Sequence, residues 1–210
     1  MRTRILLADD HPIVREGLRA LLEREGFDVQ AEAADGREAV RLARDLSPHV
    51  ALLDLVMPLL NGLDAAREIR RASPRTKRIL LTMYTEDSYV IEAIRAGING
   101  YVLKTQAVAD LAQATREVCQ GRVYLSPGIS RTVIEAYIDR TEHPPDPLSR
   151  REREVLQLVA EGKTSKEIAH LLGVTTKTAE VHRVRIMKKL GIQGTAALVR
   201  YAIRRGVVRP

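Results

Sequence analysis

Val50-Ala-Leu-Leu-Asp54 is an apolar run stopped by a carboxylate, and Ile5-Leu-Leu-Ala8-Asp9-Asp10 repeats the pattern near the N-terminus. A short continuous apolar run between polar residues reads as a strand buried on both faces. If the two runs are parallel neighbours, Asp9, Asp10 and Asp54 converge at one edge of a sheet. Three carboxylates crowded together repel one another and call for a cation. Hard carboxylate oxygens suit Mg2+. A carboxylate beside bound Mg2+ can attack phosphorus, so the pattern points to a protein that accepts a phosphoryl group on an aspartate.

The flanking sequence fits a parallel sheet. Strands are expected at 5–8, 28–32, 50–54, 79–82 and 100–103, alternating with helices at 12–24, 37–46, 62–72, 87–96 and 108–120. In the first helix Ile13, Val14, Leu18, Leu21 and Leu22 form one stripe, with Arg15, Arg19 and Glu23 outside it. Alternating strands and helices predict an α/β domain with a five-stranded parallel sheet covered on both faces. Sites in such sheets form beyond the carboxyl ends of the strands. Asp9, Asp10, Asp54, Thr82 and Lys104 all fall there.

Past Gly121 the pattern changes. A further helix is expected over 126–140, with Ile129, Val133, Ala136 and Tyr137 on one side. Thr141-Glu-His-Pro-Pro-Asp-Pro147 cannot continue a helix and reads as an extended spacer. From Leu148 only helical patterns remain. The expected division is a first domain over 1–121, a linker helix and proline-rich linker over 122–147, and a small all-α domain over 148–210.

The chain carries a formal net charge of +7, unevenly placed. Residues 1–121 hold 17 Lys and Arg against 18 Asp and Glu, and residues 122–210 hold 17 against 9. The second part is therefore basic and suited to a polyanion, or simply presents a basic solvated surface. The single cysteine, Cys119, excludes an internal disulfide and fits a reducing cytoplasm. It is expected to pack with Leu111 and Val118. No signal peptide is read at the N-terminus, and no apolar run approaches the ~20 residues of a membrane helix.

Asp9-Asp10, Asp54-Leu-Val-Met-Pro58 with Asn61-Gly62, Thr82 and Tyr101-Val-Leu-Lys104 together resemble the receiver domain of two-component response regulators, over about the first 120 residues. The resemblance implies a flavodoxin-like fold with Asp54 as phosphoacceptor and a sensor histidine kinase as donor. Mg2+ would be held by Asp9, Asp10, Asp54 and the backbone carbonyl of Val56. Lys104 would pair with Asp54 and then with a phosphoryl oxygen, Thr82 would hydrogen-bond the phosphoryl group, and Tyr101 would rotate inward.

Leu148–Pro210 reads as four helices, about 150–161, 166–172, 176–190 and 195–205, stopped by Gly162, Gly173, Gly191 and Gly206. Leu172-Gly173-Val174 makes the turn of a helix-turn-helix. At 100° per residue, Ala179, Ile186 and Leu190 of the third helix face the core. Lys177, Glu180, Val181, Val184, Arg185 and Lys188 face away. Leu148-Ser-Arg-Arg-Glu-Arg-Glu-Val-Leu156, Lys166-Glu167-Ile168-Ala169, Thr178, His182 and Lys189-Leu190-Gly191 resemble the LuxR-type DNA-binding domain. With the receiver pattern, this is the combination of the NarL/FixJ response regulators.

That resemblance implies a transcription factor, not an enzyme, whose binding to double-stranded promoter DNA is controlled by phosphorylation of Asp54. The third helix would enter the major groove. Lys177, Arg185 and Lys188 would contact phosphates, with Lys166, Thr176 and Thr178 near the helix start. Glu180 and Val181 would touch base edges. An acidic Glu180 departs from many relatives, which carry a basic residue there. Arg183 is expected to pair with Glu152. The fourth helix, with Ala197, Leu198, Tyr201 and Ala202 on one side, would pack two DNA-binding domains together or belong to the core. A homodimer, on DNA or after phosphorylation, and RNA polymerase are the further partners expected; a membrane is not.

Two rivals remain at this point. A phosphohydrolase with an aspartate nucleophile would turn over a small phosphate ester. A DNA-binding protein with a vestigial receiver would bind DNA identically with and without phosphorylation.

Overall fold

A computed structural model describes residues 2–85, 87–129 and 147–208. The chain divides into two compact units, Met1–Thr141 and Glu142–Pro210. The helix expected over 126–140 and the proline-rich spacer lie largely outside the described residues. Among those described, no helix is long and apolar enough to cross a membrane.

The first unit alternates β1 (Arg4–Ala8), α1 (Pro12–Arg24), β2 (Asp28–Ala33), α2 (Gly36–Leu46), β3 (Val50–Asp54), α3 (Gly62–Ala72), β4 (Lys77–Thr82), α4 (Asp87–Ala96), β5 (Gly100–Leu103), α5 (Ala107–Cys119) and β6 (Tyr124–Leu125). All neighbours pair parallel, in the order β2-β1-β3-β4-β5-β6. Alternating strand side chains build two cores. Leu6, Ala8, Ala51, Leu53 and Leu80 meet Ala39 and Ala43 of α2, Ala66 and Ile69 of α3, and Val90 and Ala93 of α4. Ile5, Leu7, Val50, Leu52, Ile79 and Leu81 meet Leu18 and Leu22 of α1 and Leu111, Ala114 and Val118 of α5. The runs are apolar throughout because both faces are covered.

Three expectations are corrected here. The sheet has six strands, not five. β6 has only two residues, too short to show any alternation, and follows Gly121, whose φ of +84° turns the chain out of α5. Cys119 is exposed, because it sits one 100° step beyond buried Val118 at the end of α5. The α1 stripe is buried only at Leu18 and Leu22, while Ile13 is 84% exposed; the first turn of α1 starts beyond the strand ends, where no sheet lies beneath it.

The second unit is all-helical: α6 (Arg150–Ala160), α7 (Ser165–Leu172), α8 (Thr176–Leu190) and α9 (Thr195–Arg204). Ser149 and Thr164 close capping boxes with Glu152 and Glu167, and Thr175 caps α8 through the Thr178 N–H. Gly173 and Gly191, both left-handed, end α7 and α8. Val155, Leu158, Ile168, Ala179, Ile186, Leu198 and Ala202 are buried. Leu198 and Ala202 thus serve the core of this unit, with Ala197 and Tyr201 half-buried beside them.

Candidate functional site

β1, β3, β4 and β5 are adjacent, so the residues at their carboxyl ends meet. Asp9 and Asp54 are buried and Asp10 half-buried. The Lys104 ammonium, carried just past β5, lies 2.7 Å from Asp9 Oδ2 and 3.0 Å from Asp54 Oδ1. Pairing with Asp54 was the expected contact; the shorter one to Asp9 was not. Both carboxylates are largely out of water, where such attraction is weakly screened.

Close backbone packing fixes the loop after β3. The Gly62 N–H donates to the Leu55 carbonyl at 2.8 Å. A Cβ on Gly62 would stand 2.0 Å from the Asp54 carbonyl oxygen, so only glycine allows this approach beneath the acidic residue. Asn61 caps α3 by accepting from the Asp64 N–H. Val56, whose carbonyl was expected to ligand the metal, is buried in this loop.

Thr82 and Tyr101 meet at Tyr84, which flanks the site in the sequence but was not read as the link between them. The Tyr84 N–H donates to Thr82 Oγ1 at 3.0 Å, and the Tyr101 hydroxyl donates to the Tyr84 carbonyl at 3.0 Å. Tyr101 is already inside the protein, only 1% exposed. The Thr82 hydroxyl and the inward Tyr101 ring are thus both held by the backbone of Tyr84.

His11 is a second addition. Its Nδ1 lies 2.9 Å from Asp10 Oδ1 and 3.3 Å from Asp9 Oδ1, and its backbone N–H donates to Asp9 Oδ1 at 2.9 Å. Its place directly after the acidic pair, before Pro12 opens α1, was the signal available. Arg15 also reaches the site, donating from Nη1 to the Asp9 carbonyl at 2.7 Å.

Asp9, Asp10, His11 and Asp54 each offer one ligand atom, all within 4.8 Å of one another. Three carboxylates against one lysine leave two formal negative charges when His11 is neutral, matching a divalent cation. The carboxylate-dominated donor set favours a hard ion. The residues present therefore fit Mg2+.

In the second unit, α8 shows the expected division. Ala179 and Ile186 are buried and Leu190 half-buried, whereas Thr176, Lys177, Glu180, Val181, Val184, Arg185 and Lys188 are exposed. Val181 and Val184 are 40% and 60% exposed on this face. Lys166 on α7 is exposed, and Thr178 is half-buried with its hydroxyl 2.8 Å from that of Thr175. Among the described residues no ion pair engages Lys177, Glu180, Arg185 or Lys188.

The expected Arg183–Glu152 pair is not formed. Arg183 donates to Ser165 Oγ at 3.1 Å and Thr195 Oγ1 at 2.9 Å, while Lys189 donates to Glu152 Oε2 at 2.6 Å. Lys189 lies on the side of α8 that faces α6; Arg183 instead ties α7 to the start of α9. Burial pushes the Glu152 carboxyl up, but hydrogen bonds from Lys189 and Ser149 outweigh it and hold it below the usual carboxylate range. A lowered folded value means stability that is complete above the usual carboxylate range and lost as pH falls through the lowered value. Circular-dichroism melts at falling pH are expected to show wild type losing more stability than Glu152→Gln, by on the order of 1 kcal/mol. Parallel pH profiles would contradict this anchoring role.

Residues 5–116 match the family described as response regulator receiver domain, and residues 146–202 that described as bacterial regulatory proteins, luxR family. The transcriptional regulatory protein LiaR of Bacillus subtilis is 40% identical over 208 residues, covering 98% of this chain and 99% of LiaR. MctR of Rhizobium johnstonii is 37% identical over 208 residues, covering 99% and 96%. RcsB of Salmonella enterica serovar Typhimurium, solved on promoter rprA with the phosphomimetic BeF3−, aligns with a TM-score of 0.65 at 31% identity, over 96% of this chain and 98% of RcsB. A LuxR-family response regulator from Aurantimonas sp. aligns with a TM-score of 0.63 at 40% identity, over 66% of this chain and 99% of that one.

Proposed function

The chain belongs to the LuxR-type two-component response regulators, and from that premise we propose that Asp54 is the phosphoacceptor through which a sensor histidine kinase controls its binding to promoter DNA. The observation that carries this reading is the Lys104 ammonium bridging buried Asp9 and Asp54 at the carboxyl edge of the sheet. An Asp54 carboxylate oxygen attacks the phosphorus of a phosphohistidine. The P–N bond breaks, the imidazole leaves with its electron pair and takes a proton, and an acyl phosphate forms on Asp54. Lys104 offsets the charge on the transferred group, and Thr82, whose Oγ1 accepts from the Tyr84 N–H, uses its own hydroxyl proton to donate to a phosphoryl oxygen. Asp9, Asp10, Asp54 and the Val56 carbonyl would hold Mg2+, which when bound neutralises phosphoryl oxygens.

In this reading the receiver domain is 1–121, the connector 122–147 and the DNA-binding domain 148–210, with β6 of the connector carried on the receiver's sheet. The protein works in the cytoplasm, where its DNA is, as a homodimer on two half-sites, and RNA polymerase is its further partner. α8 lies in the major groove. Lys177, Arg185 and Lys188 take phosphates, with Lys166, Thr176 and Thr178 beside them. Val181 and Val184 meet thymine methyls, and Glu180 accepts from a cytosine or adenine amino group.

Selection from a random duplex pool tests the DNA-binding half of this reading. The wild-type chain is expected to recover one recurring motif. Glu180→Ala is expected to lose the preference at one position of that motif, worth about 1–3 kcal/mol. Recovery of no motif would contradict sequence-specific binding. An unchanged motif in Glu180→Ala, with uniformly tighter binding, would make Glu180 a bystander that merely repels phosphates.

A further inference from the structure

β5 is closed along its outer side by residues that follow it in sequence. It pairs with β6 through Gly100 with Tyr124 and Tyr101 with Leu125, and the pairing stops short of Leu103. Ser126 takes over there. Its N–H donates to the Tyr101 carbonyl at 3.0 Å, and its Oγ accepts from the Leu103 N–H at 3.1 Å. Its hydroxyl proton goes to Asp110 Oδ2 on α5, at 3.0 Å. Ser126 is fully buried and Asp110 half-buried.

The segment around Ser126 is anchored as well. Burial, then the charge and hydrogen bond of Asp110, push the Tyr124 phenol up to about 12. Ile129 is fully buried in the same cluster as Tyr101 and Leu103. Residues 124–129 are also the start of the chain's path to the second unit. On β5, the backbone that Ser126 grips runs from Tyr101, whose hydroxyl holds Tyr84, to the residue before Lys104. The Lys104 N–H in turn donates to the Thr82 carbonyl at 2.8 Å. A displacement of Tyr101–Lys104 must either break these buried bonds, at the cost of unsatisfied polar groups, or carry 124–129 with it.

We propose that Ser126, its hydroxyl oriented by Asp110 so that Oγ faces the Leu103 N–H, is a clasp that joins β5 and the start of the connector into one mechanical body, so that a shift of Tyr101 and Lys104 on phosphorylation of Asp54 passes to the helix-turn-helix unit through residues 124–129. This rests on Asp54 being the phosphoacceptor. Ser126 and Asp110 are positioning residues: they hold the strand that carries Tyr101 and ends before Lys104. Alanine at 126 strands the Leu103 N–H and removes a donor from Asp110. Asparagine at 110 keeps an acceptor oxygen for the clasp, and alanine does not.

The test uses full-length wild type, Ser126→Ala, Asp110→Ala and Asp110→Asn. Each is treated with acetyl phosphate and Mg2+, incorporation is counted by intact mass, and affinity is measured for a duplex that the wild-type chain recovers from a random pool. All four are expected to take up one phosphoryl group. The wild-type affinity ratio between phosphorylated and untreated forms is expected on the order of 5–150. Asp110→Asn keeps that ratio, and both alanine variants bring it towards one. The full ratio in both alanine variants would overturn the clasp and leave Asp54 as phosphoacceptor. Loss of the ratio in Asp110→Asn too would overturn it in favour of general disruption. A wild-type ratio of one would overturn the phosphorylation switch and the clasp with it. Should Ser126→Ala fail to fold by circular dichroism, the contrast between Asp110→Ala and Asp110→Asn decides alone.

Discussion

Asp54→Asn, treated with acetyl phosphate and Mg2+, is expected to incorporate no phosphoryl group, while wild type incorporates one and retains it through intact-mass measurement. The substitution keeps the shape of the side chain and removes the nucleophilic carboxylate. Asp9 has both carboxylate oxygens engaged, one on Lys104 and the other on the His11 backbone N–H. Asp54→Asn should melt no lower than wild type, since it takes one charge from three converging carboxylates. Equal incorporation in the variant would move the phosphoacceptor elsewhere.

The second large effect concerns the exposed cations of α8. Replacing Lys177, Arg185 and Lys188 together by alanine should leave the second unit folded, because all three are exposed and none forms an ion pair among the described residues. Affinity for the recovered duplex should fall on the order of 100-fold or more, since hydrogen bonds to charged groups contribute about 1.5–3 kcal/mol each. The slope of log affinity against log salt should drop by about 0.9 for each phosphate contact removed. Sequence preference should survive, because phosphate contacts position the helix without reading bases. An unchanged salt slope would show that another face of the domain meets the DNA.

Much of the first site was legible because it depends on strand ends. Once Ile5–Ala8 and Val50–Asp54 read as parallel strands, the convergence of Asp9, Asp10 and Asp54 followed from sheet geometry. Lys104 and Thr82 followed in the same way. In α8 the division between buried Ala179 and Ile186 and the exposed Lys177–Lys188 face followed from helical period alone. The errors have a common cause: they turn on what lies opposite a residue, not on local pattern. Ile13 continues an apolar stripe but starts past the sheet. Cys119 belongs to an amphipathic helix but points off its buried stripe. Arg183 could reach several oxygens, and only packing of α6 against α8 gave Glu152 to Lys189 instead. β6 leaves no periodic trace, since its two residues are held by pairing with β5 and by Ser126. Tyr84 links Thr82 to Tyr101 through its backbone N–H and carbonyl, groups every residue but proline possesses, so no residue type could announce it.

The most direct measurement is the affinity of full-length protein for its recovered duplex, with and without BeF3− and Mg2+, in wild type and Asp54→Asn. The account predicts tighter binding on addition in wild type, by a factor on the order of 5–150, and no change in Asp54→Asn. Equal affinity in all four conditions, with DNA still bound, would contradict control of DNA binding by Asp54.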